Sequence, residues 1–77
     1  MAETPSILDL RPLSARDRHP AVTASFASLE PGASFELRND HDPLPLHLYF
    51  KAVYEGQFRW QPLEEGPTLW RVSVTRL

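Results

Sequence analysis

No cysteine occurs in the 77 residues of this chain. That absence removes disulfides, thiolate metal ligation, a cysteine nucleophile and persulfide carriage, all of which need a sulfur at that position. Long apolar runs are missing too. No window approaches the roughly 20 apolar residues that span a bilayer, and the start Met-Ala-Glu-Thr-Pro has neither the basic nor the apolar region of a secretory signal. The expectation is a cytoplasmic protein with no membrane partner. Positive charge is also scarce: eight Lys and Arg stand against ten Asp and Glu, for a net charge of −2. Proteins that grip a nucleic-acid backbone usually carry an excess of positive charge, so no nucleic-acid partner is expected.

What is present suits one small domain. With 42% hydrophobic and 23% charged residues, the chain can bury a core and does not have a disordered composition. At this size roughly 60% of the unfolded surface is buried, which keeps stability modest. Residues 1–5 read as a flexible tail.

Ser6 to Leu10 is a short apolar run that suits a buried strand. From about Asp17 to Leu29 the residues Val22, Phe26 and Leu29 recur at helical spacing, with Asp17 as the expected N-cap and Pro20 tolerable in the first turn. Glu30-Pro31-Gly32 should stop this helix. Ala33 to Arg38 alternates, Phe35 and Leu37 on one face and Glu36 and Arg38 on the other, as in a half-buried strand. A second helix is expected from about Pro45 to Tyr54, with Leu46, Phe50 and Val53 on one stripe and Gly56 at its end. Gln57 to Leu63 and Thr68 to Arg76 read as a hairpin joined at Glu64-Glu65-Gly66-Pro67, with Phe58, Trp60, Trp70, Val72 and Val74 facing one way. Pro62 cannot donate to a ladder and should lie at an edge or a bulge. The order is β-α-β-α-β-β. Because the strands are amphipathic and the helical stripes single, the fold class is a two-layer α/β sandwich (α+β), both helices on one face of a four-stranded mixed sheet, with Phe26, Phe35, Phe50 and Trp70 in the core.

A helical crossover makes the first two strands parallel if they are neighbours, so their C-terminal ends lie together. The loop and helix start at 11–19 then meets the loop and helix start at 39–47. Arg11, Arg16, Arg18 and His19 come beside Asp40, His41, Asp42 and His47, at the end of an open sheet where ligands usually bind.

The runs Leu8-Asp9-Leu10-Arg11-Pro12-Leu13, Arg18-His19-Pro20, Leu29-Glu30-Pro31-Gly32 and Asn39-Asp40-His41-Asp42-Pro43-Leu44-Pro45-Leu46, with Trp60, Gly66-Pro67 and Trp70-Arg71-Val72, carry a family resemblance. They resemble the domain of unknown function 2249 family over about residues 7–76, most specifically in the Asn-Asp-His-Asp-Pro stretch. The resemblance implies a TusA-like fold and bacterial occurrence, alone or attached to hemerythrin-like domains, so a hemerythrin-like protein is an implied partner. TusA carriers begin the first helix with Cys-Pro-x-Pro. An ungapped alignment from Leu8-Asp9 to Pro31-Gly32 puts Ala15 at the cysteine and Arg16 after it. The implied fold carries over; the persulfide chemistry does not.

The loop-end residues admit several readings. His19, His41, His47, Asp40 and Asp42 supply nitrogen and oxygen donors of the kind Zn, Fe or Mn accept, with His41, Asp42 and His47 as the narrower ligand set. Against this, Asp42 caps the second helix and the histidines lie at the surface. Arg11, Arg16 and Arg18 beside a positive helix end suit an anion. Against this, Arg11 pairs with Asp40 or Asp42 and clips the two loops together. Trp60 and Trp70 read as packing. Ser6 and Ser14 have no evident His-Asp partners, and so short a chain leaves little room for a closed cleft. The leading reading is a non-catalytic binding or accessory module that uses Arg11, Arg18, His19, Asp40, His41, Asp42 and His47 to hold a protein partner, a small anion or a metal. No cofactor is required by this reading. The alternative is a metal-dependent or sulfur-relay-associated catalytic role at the same end, without persulfide carriage.

Overall fold

The computed structural model describes residues 6–77; the tail expected over residues 1–5 lies outside them. The elements are β1 (Ser6–Asp9), α1 (Ala15–Ala27), β2 (Ser34–Asn39), α2 (Leu44–Val53), β3 (Phe58–Glu65) and β4 (Trp70–Arg76), in the expected order. They form one four-stranded sheet of order β1-β2-β4-β3. β1 runs parallel to β2, and β4 is antiparallel to both β2 and β3. Thus β1, β2 and β3 share one direction, and α1 and α2 are both crossovers that step the same way across the sheet. Crossovers of one hand stepping the same way place both helices on the same face.

The core shows that placement. Val22 and Phe26 of α1 and Leu46 and Phe50 of α2 are buried together with Leu10, Phe35, Leu37, Val72 and Val74. Phe50 is fully enclosed, with ring centroids of Phe26, Tyr54, Phe58 and Trp60 between 4.9 and 5.8 Å away. Tilted and edge-on aromatic pairs of this kind add to the burial itself. Trp70 departs from expectation: it is half-buried, not a core residue. The reason is length. A ten-residue helix covers about 15 Å and an eight-residue strand runs about 26 Å, so α2 cannot roof the far end of the β3–β4 hairpin.

Helix boundaries shift for local reasons. α1 starts at Ala15, with Ser14 in an extended conformation as N-cap, so Asp17 sits inside the first turn as an acidic residue near the positive helix end. Pro20 therefore falls in the second turn, where its missing N–H leaves the Arg16 carbonyl without an intrahelical donor. Thr23 Oγ1 donates back to the carbonyls of His19 and Pro20 at 3.2 and 3.1 Å. The helix stops at Ala27, ahead of the Pro31-Gly32 turn, in which Gly32 has φ +88°. Pro62 lies on the edge strand β3, and the ladder register shifts between Pro62 and Glu64, as a residue without an N–H requires. No helix among the described residues is long and apolar enough to cross a membrane.

The uncovered sheet face carries an ion-pair network. Arg38 and Arg71 are directly opposed between β2 and β4, a repulsive cross-strand pair on its own. Glu36 resolves it: its carboxylate accepts from Arg38 Nε at 2.6 Å and from Arg71 Nε and Nη2 at 3.0 Å each. Arg71 also reaches Glu64 on β3 at 3.6 Å. The hydrogen bonds from Arg71 and then Arg38 hold the Glu36 carboxyl at about 2, down from 4.5.

Two outcomes follow from this packing. Phe26→Ala is expected to lose about 3–5 kcal/mol in a denaturant melt, because it removes a buried ring from between both helices. A carboxyl lowered on folding contributes stability above its unfolded value and loses it as the pH falls through the folded one. Stability is therefore expected to fall between about pH 5 and pH 2, and Glu36→Gln should flatten that slope while lowering stability at neutral pH by about 1–2 kcal/mol.

Candidate functional site

The C-terminal ends of β1, β2 and β3 all point to one end of the sheet, and the loops and first helical turns there carry the candidate site residues singled out from the sequence. The two loops are joined, but by Arg18 and not by Arg11. Arg11 folds back on its own strand end: its Nε and Nη2 donate to the Asp9 carboxylate at 2.9 and 2.7 Å, and its backbone N–H donates to Asp9 Oδ1 at 3.0 Å. These bonds hold the Asp9 carboxyl at about 2. A partner two residues away closes a small ring at little entropic cost, so it outcompetes Asp40 or Asp42 across a gap between loops.

Arg18 takes the role assigned to Arg11. Its Nη1 donates to Asn39 Oδ1 at 2.8 Å and to Asp40 Oδ1 at 3.0 Å, and its Nε donates to the Leu13 carbonyl at 3.1 Å. One guanidinium fork thus ties the β1–α1 loop, the end of β2 and the β2–α2 loop. Its side chain is only 18% exposed, so these bonds are poorly screened. Asn39 is the buried polar residue of the core region, and its Oδ1 also accepts from the Asp40 backbone N–H at 2.9 Å. Asp40 in turn accepts from His41 Nδ1 at 2.7 Å. Arg18 first, then His41, hold the Asp40 carboxyl at about 2, below its ordinary 3.8.

The remaining residues divide between two concavities that flank the start of α2. One, of about 170 Å³, lies between the helix N-termini and is lined by Arg18, His19, Asn39, His41, Pro43 and Pro45, among others. The His19 ring stands 5.4 Å from that of Tyr49 across the helix pair. The other, of about 180 Å³, lies between the start of α2 and the hairpin, and takes Asp42 and His47 with Trp60 and Trp70. His47 stacks on Trp60, ring planes 4° apart and centroids 4.4 Å apart. Burial, and then the nearby Lys51, lower its pKa from 6.5, so it is neutral at physiological pH.

This division bears on each reading. His41 and His47 line different concavities, and among the described residues no three His, Asp or Glu side chains are grouped to hold a metal ion. Asp42 does not cap α2. The N-cap is Pro43, and no side chain bonds to the first turn. Asp42 therefore stands one residue too early. The three arginines are not gathered round an anion either: Arg11 is held by Asp9, Arg18 by Asn39 and Asp40, and Arg16 projects into solvent.

The hairpin side of the end was not legible as a site. Trp60 and Trp70 sit on the covered face, as the alternation implies, yet the pocket they form depends on β4 entering the sheet beside β2. There Trp70 is the register partner of Asn39. Gly66, with φ +69°, lets the turn close over Trp70; a Cβ there would come within 2.7 Å of the indole ring. The available signal was the size of the two indoles beside a helix too short to cover them.

If Arg18 is the clip, Arg18→Gln removes the charged donor to the buried Asn39 Oδ1 and to Asp40, leaving Oδ1 only the Asp40 N–H, and should lower stability by about 1–2 kcal/mol. Arg11→Gln, which removes an exposed local pair, should leave the melting midpoint nearly unchanged. Parallel denaturant melts check both, and the reverse ranking would restore Arg11 to the clip.

Comparison with curated proteins and with solved structures finds no match. The family model described as an uncharacterized conserved protein (DUF2249) matches residues 7–76, the span over which strand ends, loop clip and hairpin are built. The chain therefore belongs to the DUF2249 family.

Proposed function

We propose that this chain is a non-catalytic protein-binding module that docks through the outer face of α2 and the loop end where that helix begins. The observation that carries the reading is the apolar surface α2 presents to solvent. Leu44, Leu48 and Val53 are 51%, 53% and 49% exposed, with Tyr49 beside them. A surface helix normally turns polar residues outward. Here Leu44 and Leu48, and Tyr49 and Val53, are spaced to form two adjacent rows on a helix with one charged residue, Lys51. Contiguous exposed apolar residues of this kind mark interaction surfaces.

The neighbouring charges indicate the kind of partner. Arg11 is held by Asp9 and Arg18 by Asn39 and Asp40, which leaves both arginines poorly placed to take an anion. Acidic residues border the apolar rows, with Asp42 before the helix and Glu55 after it. A partner with an apolar patch flanked by basic side chains is complementary. A hemerythrin-like protein, implied by the family resemblance, is the candidate. The catalytic alternative rests on no comparable observation.

Titrating the isotope-labelled chain with a hemerythrin-like protein from the same organism should shift amide resonances over residues 44–53. Leu48→Glu should weaken binding at least about thirtyfold, a hot-spot-sized effect, without moving the melting midpoint. Shifts confined to the open sheet face around Arg59 and Arg71, or a self-dimer in sedimentation that covers α2, would overturn the reading.

A further inference from the structure

The concavity between α2 and the hairpin has a chemistry that the docking face alone does not use. Its walls are apolar and aromatic, from Trp60, Trp70, Pro62 and Leu44, while Asp42 and Glu65 stand at its edge; the Glu64 carboxylate turns to Arg71 on the uncovered sheet face. We propose that this pocket accepts one arginine side chain of the docking partner, the guanidinium lying against an indole face and pairing with Asp42 and Glu65. The inference deepens the docking reading and rests on it.

Size limits the occupant first. At about 180 Å³ the pocket is well below the roughly 300–1,000 Å³ of sites that enclose whole small molecules, so it suits a single side chain. Charge then selects the sign. Two acidic residues free to face it, Asp42 and Glu65, and no arginine or lysine line the pocket. Glu64 is turned away to Arg71 at 3.6 Å, and Asp42 and Glu65 make no ion pair among the described residues. The neutral His47 adds no competing positive charge. A phosphate or carboxylate ligand would meet repulsion here.

Shape selects arginine over lysine. His47 already covers one face of the Trp60 indole, while the half-buried Trp70 stacks on no ring among the described residues and offers its plane to the pocket. A guanidinium is planar, stacks on indole and offers forked donors to carboxylates, whereas an ammonium is a compact, strongly hydrated point charge. The pocket also adjoins the docking face directly, because Leu44 belongs to both.

The chain has two tryptophans and both line this pocket, so indole signals read it alone. The full chain is titrated with acetyl-Gly-Arg-Gly-amide and with the same peptide carrying neutral citrulline, following both indole N–H resonances. The arginine peptide should give saturable shifts of both resonances that weaken with added salt, and the citrulline peptide should not. The double variant Asp42→Asn, Glu65→Gln should weaken binding about three- to thirtyfold. Both residues are exposed, so its melting midpoint should hold, and the result is readable without relying on a Trp60 variant that loses packing. Equal response to citrulline, no response at millimolar arginine peptide, or undiminished binding by the double variant would overturn the proposal. Shifts at residues 44–53 with the hemerythrin-like protein, alongside silent indoles with the peptide, would overturn the arginine anchor and leave the docking face intact. An indole response to the arginine peptide without shifts over 44–53 would uphold the pocket and sink the docking face.

Discussion

The pairing of β4 with β2 on one side and β3 on the other is the constraint on which the rest of this structure depends. An antiparallel strand inserted between β2 and β3 forces those two to run in the same direction. The α2 connection between them then becomes a crossover, which must pass over a face of the sheet. Both helices share that face, so one core closes around Phe50 and the other face is left to the Glu36 network. The same insertion carries the β3–β4 turn to the end where the two βα loops already lie. Three loops meet there in place of two.

The charged residues at that end are arranged by local competition. Asp9 captures Arg11 because the two are neighbours on a short turn, and this leaves Arg18 to bridge to Asn39 and Asp40 from the first turns of α1. Arg18 reaches these partners from a helix, so its position is set by the packing of Val22 and Phe26 below it. The loop end is thereby coupled to the core. The two concavities on either side of α2 differ in consequence. The one beside α1 is edged by groups that already bond to one another. The one beside the hairpin is walled by aromatic carbon and edged by Asp42 and Glu65, which make no ion pair among the described residues.

Docking through α2 and capture of an arginine beside it use different physics. The helix face offers apolar area, which is non-directional and sets how much surface can be buried. The pocket offers an oriented plane and unpaired negative charge, which set what can enter and in what geometry. A short helix exposing leucines next to a half-open aromatic slot brings both to one surface.

Periodicity alone determined the number, type and order of the elements, because the strand and helix periods of Phe35-Leu37, Val22-Phe26 and Leu46-Phe50 each report one buried side. The missing N–H of Pro62 placed it at an irregular edge, and the absence of cysteine leaves no thiol to carry a persulfide. The convergence of residues 11–19 with 39–47 followed from parallel pairing of the first two strands. Tertiary structure decided which arginine bridges the loops, because Arg11 and Arg18 have the same chemistry and differ only in the distance to a competing carboxylate. It also decided that Trp70 and the hairpin turn belong to the loop end and that the three histidines divide between two concavities. Those outcomes depend on strand order and on the length of α2 relative to β3, and neither leaves a mark on local hydrophobic pattern.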